Sequence, residues 1–412
     1  MINTGTELLL GDVLNTHLRF VARAIFPLGL RIAWQLTVPD GPAISAALAE
    51  SFGAADIVIV TGGLGPTTDD ITRDTAAELL GLALHEDRNV RAAIEARVAH
   101  FKIRLTERIL RQAQVPAGAK VLPNPHGTAP GLYLPTDITA TRRTPHLFLL
   151  PGPPRELQPM FDKSVLPILR EITPPSAAFA FRTYRIAGFG ESVIENQIGE
   201  EVLRLPGIEL GYCARPGEVD VRVIGNAETV EQAGSIIETA FAAAIFTTTS
   251  ESLETVVVRL LTERRLTLAT AESCTGGYLA NRITNVPRAS AVFAGGYVTY
   301  SNELKTELLG VTPKLLRAHG AVSETVATRM AEGVRERARS SFALATTGVA
   351  GPDGGTREKP VGTVFVALAS AAGATDVQEF FFPTDRETFK QMTAQWSLEM
   401  VRRKLIVLKN GG

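Results

Sequence analysis

The chain reads as a multidomain α/β protein built on parallel sheets, and three observations predict this. Four apolar runs lead straight into Gly-rich turns: ADIVIVTGG (55–63), HLFLLPGPP (146–154), LTLATAES (266–273) and FALATTGVAG (342–351). Helical patterns lie between them, such as AISAALAESFG (43–53) and ITRDTAAELLG (71–81). The length, 412 residues, corresponds to two to four domains at about 150 residues each. An uninterrupted apolar strand is one buried on both faces, and strands alternating with helices build such a sheet. Ligands bind such sheets beyond the carboxyl ends of the strands, so the turns carry the functional information.

Composition narrows the classes. Lys plus Arg is 42 against 43 for Asp plus Glu, a net charge of −1. That excludes the basic excess by which nucleic-acid and membrane-surface proteins are usually recognised. The only cysteines, Cys213 and Cys274, rule out a disulfide scaffold. The histidines are scattered and no C-x-x-C occurs, so no zinc motif is written here. No apolar run reaches the ~18 residues of a membrane helix. MINTGTELLLGD lacks the basic and apolar regions of a signal peptide. A soluble, cytoplasmic protein is expected.

Prolines mark the boundaries. KSVLPILREITPPSAAF (163–179) carries a helical pattern that breaks at Pro174-Pro175. A smaller α+β segment follows: a strand (181–188), a helix (191–205), a hairpin turning at Pro216-Gly217 (209–225) and a second helix (227–245). TTTSES (247–252) is a linker in composition. The division is therefore 1–162, then a linker helix with a small middle domain at 163–250, then 251–412.

In the first segment, TGGLGPTTDDITRD (61–74) is a strand end, a Gly turn and a helix start. Glycines let backbone N–H groups approach an anion, and a helix N-terminus favours one. Asp70 and Asp74 are four apart, so on a helix they share a face, where they would hold a divalent metal or orient a phosphate through one. The plainer alternative is that Thr67, Thr68 or Asp69 caps the helix. NPHGTAPG (124–131) and LLPGPPREL (149–157) are further rigid turns at expected strand ends, and three such loops would build a pocket.

In the last segment, AESCTGGYLANRIT (271–284) places Ser273 at a strand-to-helix turn, with Gly276 and Gly277 just inside. A nucleophile or oxyanion site suits that position, because the helix N-terminus stabilises developing negative charge. Ser273 or Thr275 could equally be only a helix cap, and Cys274 competes as nucleophile although a lone cysteine is more often a small buried residue. GGYVTYSNELKTELLG (295–310) offers Tyr300 and Lys305. Where no histidine motif is evident, a lysine of depressed pKa can serve a serine as base. TTGVAGPDGG (346–355) is another Gly-rich cradle with Thr347 at its head, and FFPTDRET (381–388) places Arg386 after a strand, able to reach a phosphate. Ser290 in PRASAVF is unremarkable alone. Together these groups suggest hydrolysis of a phosphorylated small molecule.

The N-terminal loops, with GTELLLGDVLNTH (5–17), TVPD (37–40) and Asp70-Ile71-Thr72, resemble the molybdopterin-binding MoaB/MogA-like fold, a three-layer α/β domain. A-E-S-C-T-G-G, Y-S-N-x-x-K, T-G-x-A-G-P-x-G-G and K-P-V-G-T-V follow in order, and the whole chain resembles the competence/damage-inducible CinA family. That resemblance implies a C-terminal α/β deamidase domain converting nicotinamide mononucleotide and water to nicotinate mononucleotide and ammonia, in pyridine-nucleotide salvage. Ser273 would be the nucleophile and Lys305 its base, without any cofactor. Tyr300 and Ser290 would hydrogen-bond the amide or nucleophile, and Thr275, Gly276 and Gly277 would cradle the oxyanion. Thr347, Gly348, Gly351 and Arg386 would hold ribose and phosphate. For the N-terminal domain the resemblance implies a metal-dependent ADP-ribose pyrophosphatase, its matching residues being Glu7, Asn15, Asp40, Gly62, Gly63, Gly65, Asp69, Asp70, Gly127, Thr128, Pro151 and Gly152. It also implies a homodimer acting on small nucleotides, not on nucleic acid or membranes. Family members carry an apolar strand before the G-T-E-L-L motif, whereas MINT is shorter than the five or six residues of an ordinary strand. Either the start codon is misassigned or the sheet lacks most of one strand, so a mostly missing first strand is the expectation. A nucleotide-binding adaptor in competence or DNA damage, without catalysis, is the rival reading, and molybdenum-cofactor biosynthesis rests on fold analogy alone.

Overall fold

The computed structural model describes residues 1–136, 144–174, 179–249, 251–371 and 373–408. Pro175 of the expected break and Ser250 of the expected linker lie outside them. The chain forms two compact units, 1–179 and 180–412. No helix among the described residues is long and apolar enough to cross a membrane.

The first unit is a six-stranded sheet in the order Leu36–Val38, Ile2–Thr4, Ile57–Thr61, His146–Leu150, Gly131–Leu134, Lys120–Leu122. The first four strands are parallel, and Gly131–Leu134 runs antiparallel to both of its neighbours. Alternate residues of the apolar runs feed opposite cores. Val58, Val60, Leu147 and Leu149 pack with Ile44, Leu48 and Ile94 on one face. Ile59, Phe148 and Leu150 pack with Val21, Phe161 and Leu169 on the other. This is the period-2 geometry of a strand covered on both faces, and it makes the expected three-layer sandwich.

Two expectations change here. The first strand is short but not absent: Ile2–Thr4 lies inside the sheet, Ile2 pairing with both Leu36 and Val60. Its neighbour Leu36–Val38 is equally short, so three residues suffice to satisfy it on that side. The helical stretch from 163, expected as a linker, belongs to the first core. Leu157, Met160, Phe161, Val165, Ile168 and Leu169 form one apolar stripe against the sheet, so the stripe that starts before Lys163 runs on through Ile172.

The second unit begins with a four-stranded antiparallel sheet ordered Glu209–Arg215, Glu218–Gly225, Ala180–Ala187, Ile245–Thr247. Helices Glu191–Leu203 and Ala227–Phe241 cover it through a core including Tyr184, Ile198, Val221 and Ile237. The second helix ends at Phe241 rather than running to 245. A 3₁₀ turn follows over Ala242–Ala244, and Ile245–Thr247, rich in residues that suit a strand, pairs with Arg185 and Ile186.

The chain then builds a five-stranded sheet ordered Phe293–Val298, Leu268–Glu272, Phe342–Gly348, Thr363–Ser370, Asp376–Phe381. Its first three strands are parallel. Leu268 and Leu344 face a core shared with helices Leu253–Arg264 and Arg386–Val407. Ala269, Ala271, Ala343 and Ala345 face helix Glu324–Ala338, which their small side chains allow to approach closely.

Candidate functional sites

Leu268–Glu272 is the middle of three parallel strands, so whatever follows it sits at the carboxyl edge of the sheet. The turn 273–277 closes with Gly276 at φ +59° and Gly277 at φ +91°, a region open to glycine at little cost. Helix Tyr278–Thr284 follows. Glu272, only 1% exposed, is turned forward onto this helix start. Its carboxylate accepts the N–H groups of Gly277 and Leu279 at 3.0 Å and of Ala280 at 2.8 Å. A buried charge is tolerable when it is this fully hydrogen-bonded and sits at a positive helix end. Glu272 is thus an anchor for the turn, and its oxygens are engaged.

The neighbouring strand Phe293–Val298 runs parallel, Val298 beside Glu272, so Thr299 and Tyr300 emerge at the same edge. Ser301 caps helix Asn302–Leu309 by accepting the Leu304 N–H at 3.2 Å. The first turn of that helix carries Lys305 inward, where it is 1% exposed. Its Nζ donates to Ser273 Oγ at 3.2 Å, to the Thr299 carbonyl at 2.9 Å and to the Tyr300 carbonyl at 3.2 Å. Burial pulls the ammonium below the usual lysine range, while the charges of Cys274 and Glu303 oppose the shift. In the neutral amine two N–H bonds go to the two carbonyls, which can only accept. The lone pair is then left facing the one partner that carries a proton, the Ser273 hydroxyl.

The rest of the expected set divides. Tyr300 is 60% exposed, and its hydroxyl accepts from Arg386 Nη2 at 3.0 Å. Arg386 also donates to the Gly351 carbonyl at 2.8 Å, so it ties Tyr300 to the Gly-rich loop. Thr275 is buried with its hydroxyl against that of Thr346 at 2.8 Å. Thr347 turns inward and donates to the Ala321 carbonyl at 2.8 Å, so its hydroxyl is spent. At Gly348 a Cβ would come within 2.7 Å of the Thr363 carbonyl, so the glycine serves strand pairing. Gly351 holds φ +73° and crowds Val361 in the same way.

Two assignments are corrected. Ser290 is exposed just before strand Phe293–Val298. Since Phe293 pairs with Leu268 and Val298 with Glu272, Ser290 lies at the amino edge, a strand length of roughly 15 Å from Ser273. The Gly276 and Gly277 amides do not point at an oxyanion, being bonded to the Ser273 carbonyl and to Glu272. Within the described turn, the Cys274 and Thr275 amides are the ones not given to another residue's oxygen. Cys274 itself is buried and its thiol is pushed up to about 12, chiefly by burial, which leaves it inert as a nucleophile at neutral pH.

In the first unit, the turns after Ile57–Thr61 and His146–Leu150 meet the 128–129 loop around a pocket of about 340 Å³. Glu7, Asp40, Gly62, Gly63, Gly65, Asp69, Asp70, Thr128, Pro151 and Gly152 all line it. Gly62 needs its φ of +102° and its bare Cα, because a Cβ would meet the Thr4 carbonyl at 2.6 Å. Asn15 and Gly127 stand apart. Asn15 accepts the His17 N–H at 3.0 Å, and Gly127 lines a larger adjoining pocket of about 710 Å³. The expected metal pair is not assembled. Helix Thr72–Leu80 starts after Asp70, so the two carboxylates do not share a helical face. Asp70 accepts from the backbone and hydroxyl of Thr67, and Asp74 is held by Arg73 at 2.7 Å and Arg111 at 3.2 Å. Asp69 is kept below the usual carboxylate range, first by its hydrogen bond with Thr67.

The pocket also holds a residue the sequence reading did not single out, although it stands in LLPGPPREL. Glu156 is 8% exposed and accepts from Asn124 Nδ2 at 2.8 Å. With it the described lining has five carboxylates (Glu7, Asp40, Asp69, Asp70 and Glu156) and no lysine, arginine or histidine. Among the described residues no three such groups converge tightly enough to hold a metal by themselves.

Residues 1–171 match the probable molybdopterin binding domain, 181–244 the damage-inducible protein CinA KH domain, and 250–405 the CinA C-terminal domain. A CinA-like protein of Akkermansia muciniphila is 44% identical over 97% of this chain and 95% of its own. The chain belongs to the CinA family. Putative competence-damage inducible proteins of Caldicellulosiruptor bescii and Symbiobacterium thermophilum are 39% and 41% identical, each over 98% of both chains. The three-domain order expected from the motifs is thus the family's, with the middle segment being its KH domain.

Proposed function

We propose that the Ser273 site hydrolyses the carboxamide of nicotinamide mononucleotide, releasing ammonia. The observation that carries this reading is the Lys305 cage: a buried amine 3.2 Å from Ser273 Oγ, its other two contacts being carbonyls. Neutral Lys305 takes the serine proton as Oγ attacks the amide carbon. The oxyanion that forms is met by the free Cys274 and Thr275 amides. Lys305, now an ammonium, gives its proton to the departing nitrogen, the C–N bond breaks and ammonia leaves. Water then attacks the acyl-serine, with Lys305 accepting its proton and Ser273 recovering one, so the products are carboxylate and ammonia. The reaction needs no cofactor. Measuring ammonia from nicotinamide mononucleotide with wild-type and Ser273→Ala protein tests the reading. Release that survives the substitution, or no release by the wild type, sinks it.

A second activity is favoured by the charge of the N-terminal pocket. Five carboxylates without a cation repel a bare pyrophosphate, so such a substrate enters as its complex with a divalent metal. Hard oxygen ligands suit magnesium or manganese, which are commonly held by one or two carboxylates plus substrate phosphates. We therefore assign ADP-ribose pyrophosphate cleavage to this pocket, with Glu156 and its acidic neighbours as the protein ligands. The assay is ADP-ribose cleavage with and without added metal. The adaptor reading would hold instead if nucleotides bind and neither reaction proceeds. We place the protein in the cytoplasm as a homodimer acting on nucleotides.

A further inference from the structure

We propose that Lys390 is the residue that receives the phosphate monoester of the substrate in the Ser273 site, a proposal that rests on the amide-hydrolysis reading above. Lys390 lies one helical turn beyond Arg386 on helix Arg386–Val407, so the two residues share a face. Its ammonium is 3.9 Å from the point a Cβ on Gly276 would occupy, which puts it directly over the turn that carries Ser273. Lys390 is half-buried. Among the described residues no hydrogen bond or ion pair engages its ammonium.

The alternatives at this edge are already occupied. Lys305 is enclosed by Ser273 and two carbonyls. Arg386 spans the Gly351 carbonyl and the Tyr300 hydroxyl, so its first role is to position Tyr300 and the loop. The amides at the start of helix Tyr278–Thr284, which the Gly-rich turn suggested as an anion cradle, are filled by the Glu272 carboxylate. Among the described residues, a dianionic phosphate arriving beside Gly276 therefore meets Lys390 as a cation that no hydrogen bond or ion pair engages. A lysine suits it, being a compact charge on a flexible stem that can follow the phosphate oxygens.

The test compares Lys390→Met and Lys390→Arg with the wild type on nicotinamide mononucleotide and on nicotinamide riboside, which lacks the phosphate. Losing a charge-assisted hydrogen bond corresponds to about 10- to 100-fold. The Met variant should raise KM for the nucleotide by that factor, keep kcat within about twofold and leave the riboside unchanged. The Arg variant should recover most of the loss. An unchanged ratio of nucleotide to riboside KM, or a kcat loss shared by both substrates, overturns the proposal. Direct binding of ribose 5-phosphate to wild-type and Lys390→Met protein separates it from the amide reading. Weaker binding to the Met variant supports the phosphate role even where no ammonia is released. Equal binding, or none to either protein, overturns it.

Discussion

The two sites start from the same device and end in opposite electrostatics. Each is a Gly-rich turn at the carboxyl edge of parallel strands. Around Ser273 the polar groups are saturated by one another: Glu272 by three amides, Thr275 by Thr346, Thr347 by Ala321, Arg386 by Tyr300 and Gly351. Among the described residues, the groups left to act on a substrate include the Lys305 lone pair and the Lys390 ammonium. Around Gly62 the balance is reversed, with five carboxylates in an open pocket and no cation in the described lining. The first arrangement suits covalent catalysis by the chain's own atoms. On the proposed reading, the second is completed by a cation that enters with the ligand.

The largest effects should fall on the site that is self-sufficient. Ser273→Ala should cut ammonia release by at least about 10³-fold, since residues acting as one nucleophilic unit fail together. Lys305→Arg keeps a positive charge that cannot deprotonate at working pH, so turnover should fall by about 10²–10⁴-fold with binding preserved. In the wild type the acid limb of log kcat/KM should report Lys305, rising with pH and reaching its plateau well below the ~10.4 of a free lysine. Near-normal turnover in the Arg variant would remove Lys305 as base. Glu272 could not then replace it while its oxygens hold three amides, and the base would have to be water-borne.

Much of this pairing was legible because its parts are local motifs. A strand end followed by Gly-Gly locates Ser273, and S-N-x-x-K locates a lysine in the first turn of a capped helix. Their meeting follows from parallel pairing of two consecutive strands, which the alternating pattern already implied. What sequence order hid was direction. Ser290 is 17 positions from Ser273, yet the helix between them carries the chain back to the opposite edge. The Asp70/Asp74 pair failed because a helix boundary falls between them, and boundaries shift by a residue or two without changing any pattern. The helical stretch at 163–172 reads as a linker when the Pro174-Pro175 break is weighed above an apolar stripe that runs on from Leu157. Three residues make a first strand because pairing on both sides, not length, satisfies them.

The contrast sharpens further at the acidic pocket. Glu156→Gln keeps the shape and the contact with Asn124 while removing one charge. It should lower metal-dependent pyrophosphate cleavage by about 10- to 100-fold, the scale of losing one charged ligand interaction. Ammonia release should not move, because the whole Ser273 set lies in the other unit. A parallel loss of both activities would show that the sites are not independent.

Lys305 should also leave a mark on stability. Its native pKa is lowered by burial, so between that value and about 10.4 the unfolded chain binds a proton that the native chain does not. Stability contributed by this residue therefore rises with pH through that window and is penalised below it. The melting temperature of the wild type relative to Lys305→Met should climb between pH 7 and pH 10. A flat difference would mean that Lys305 titrates as an ordinary lysine and that the cage does not hold it neutral.

The smallest effect tests the choice between the two adjacent nucleophiles. Cys274 stands beside Ser273 in the same turn, and a thiolate would be the stronger attacker. Its side chain, however, packs in the core with Leu279 and Ile283, and its thiol is pushed up to about 12. At pH 7 the thiolate fraction is therefore negligible. Cys274→Ala removes one sulfur from the core, at a cost of about 1 kcal/mol. It leaves in place the Cys274 amide, which the proposed mechanism gives to the oxyanion. The variant should melt slightly lower and keep kcat within about twofold. A collapse of kcat in this variant, with Ser273→Ala still active, would transfer the nucleophile to the cysteine and undo the contrast between a self-saturated site and an open one.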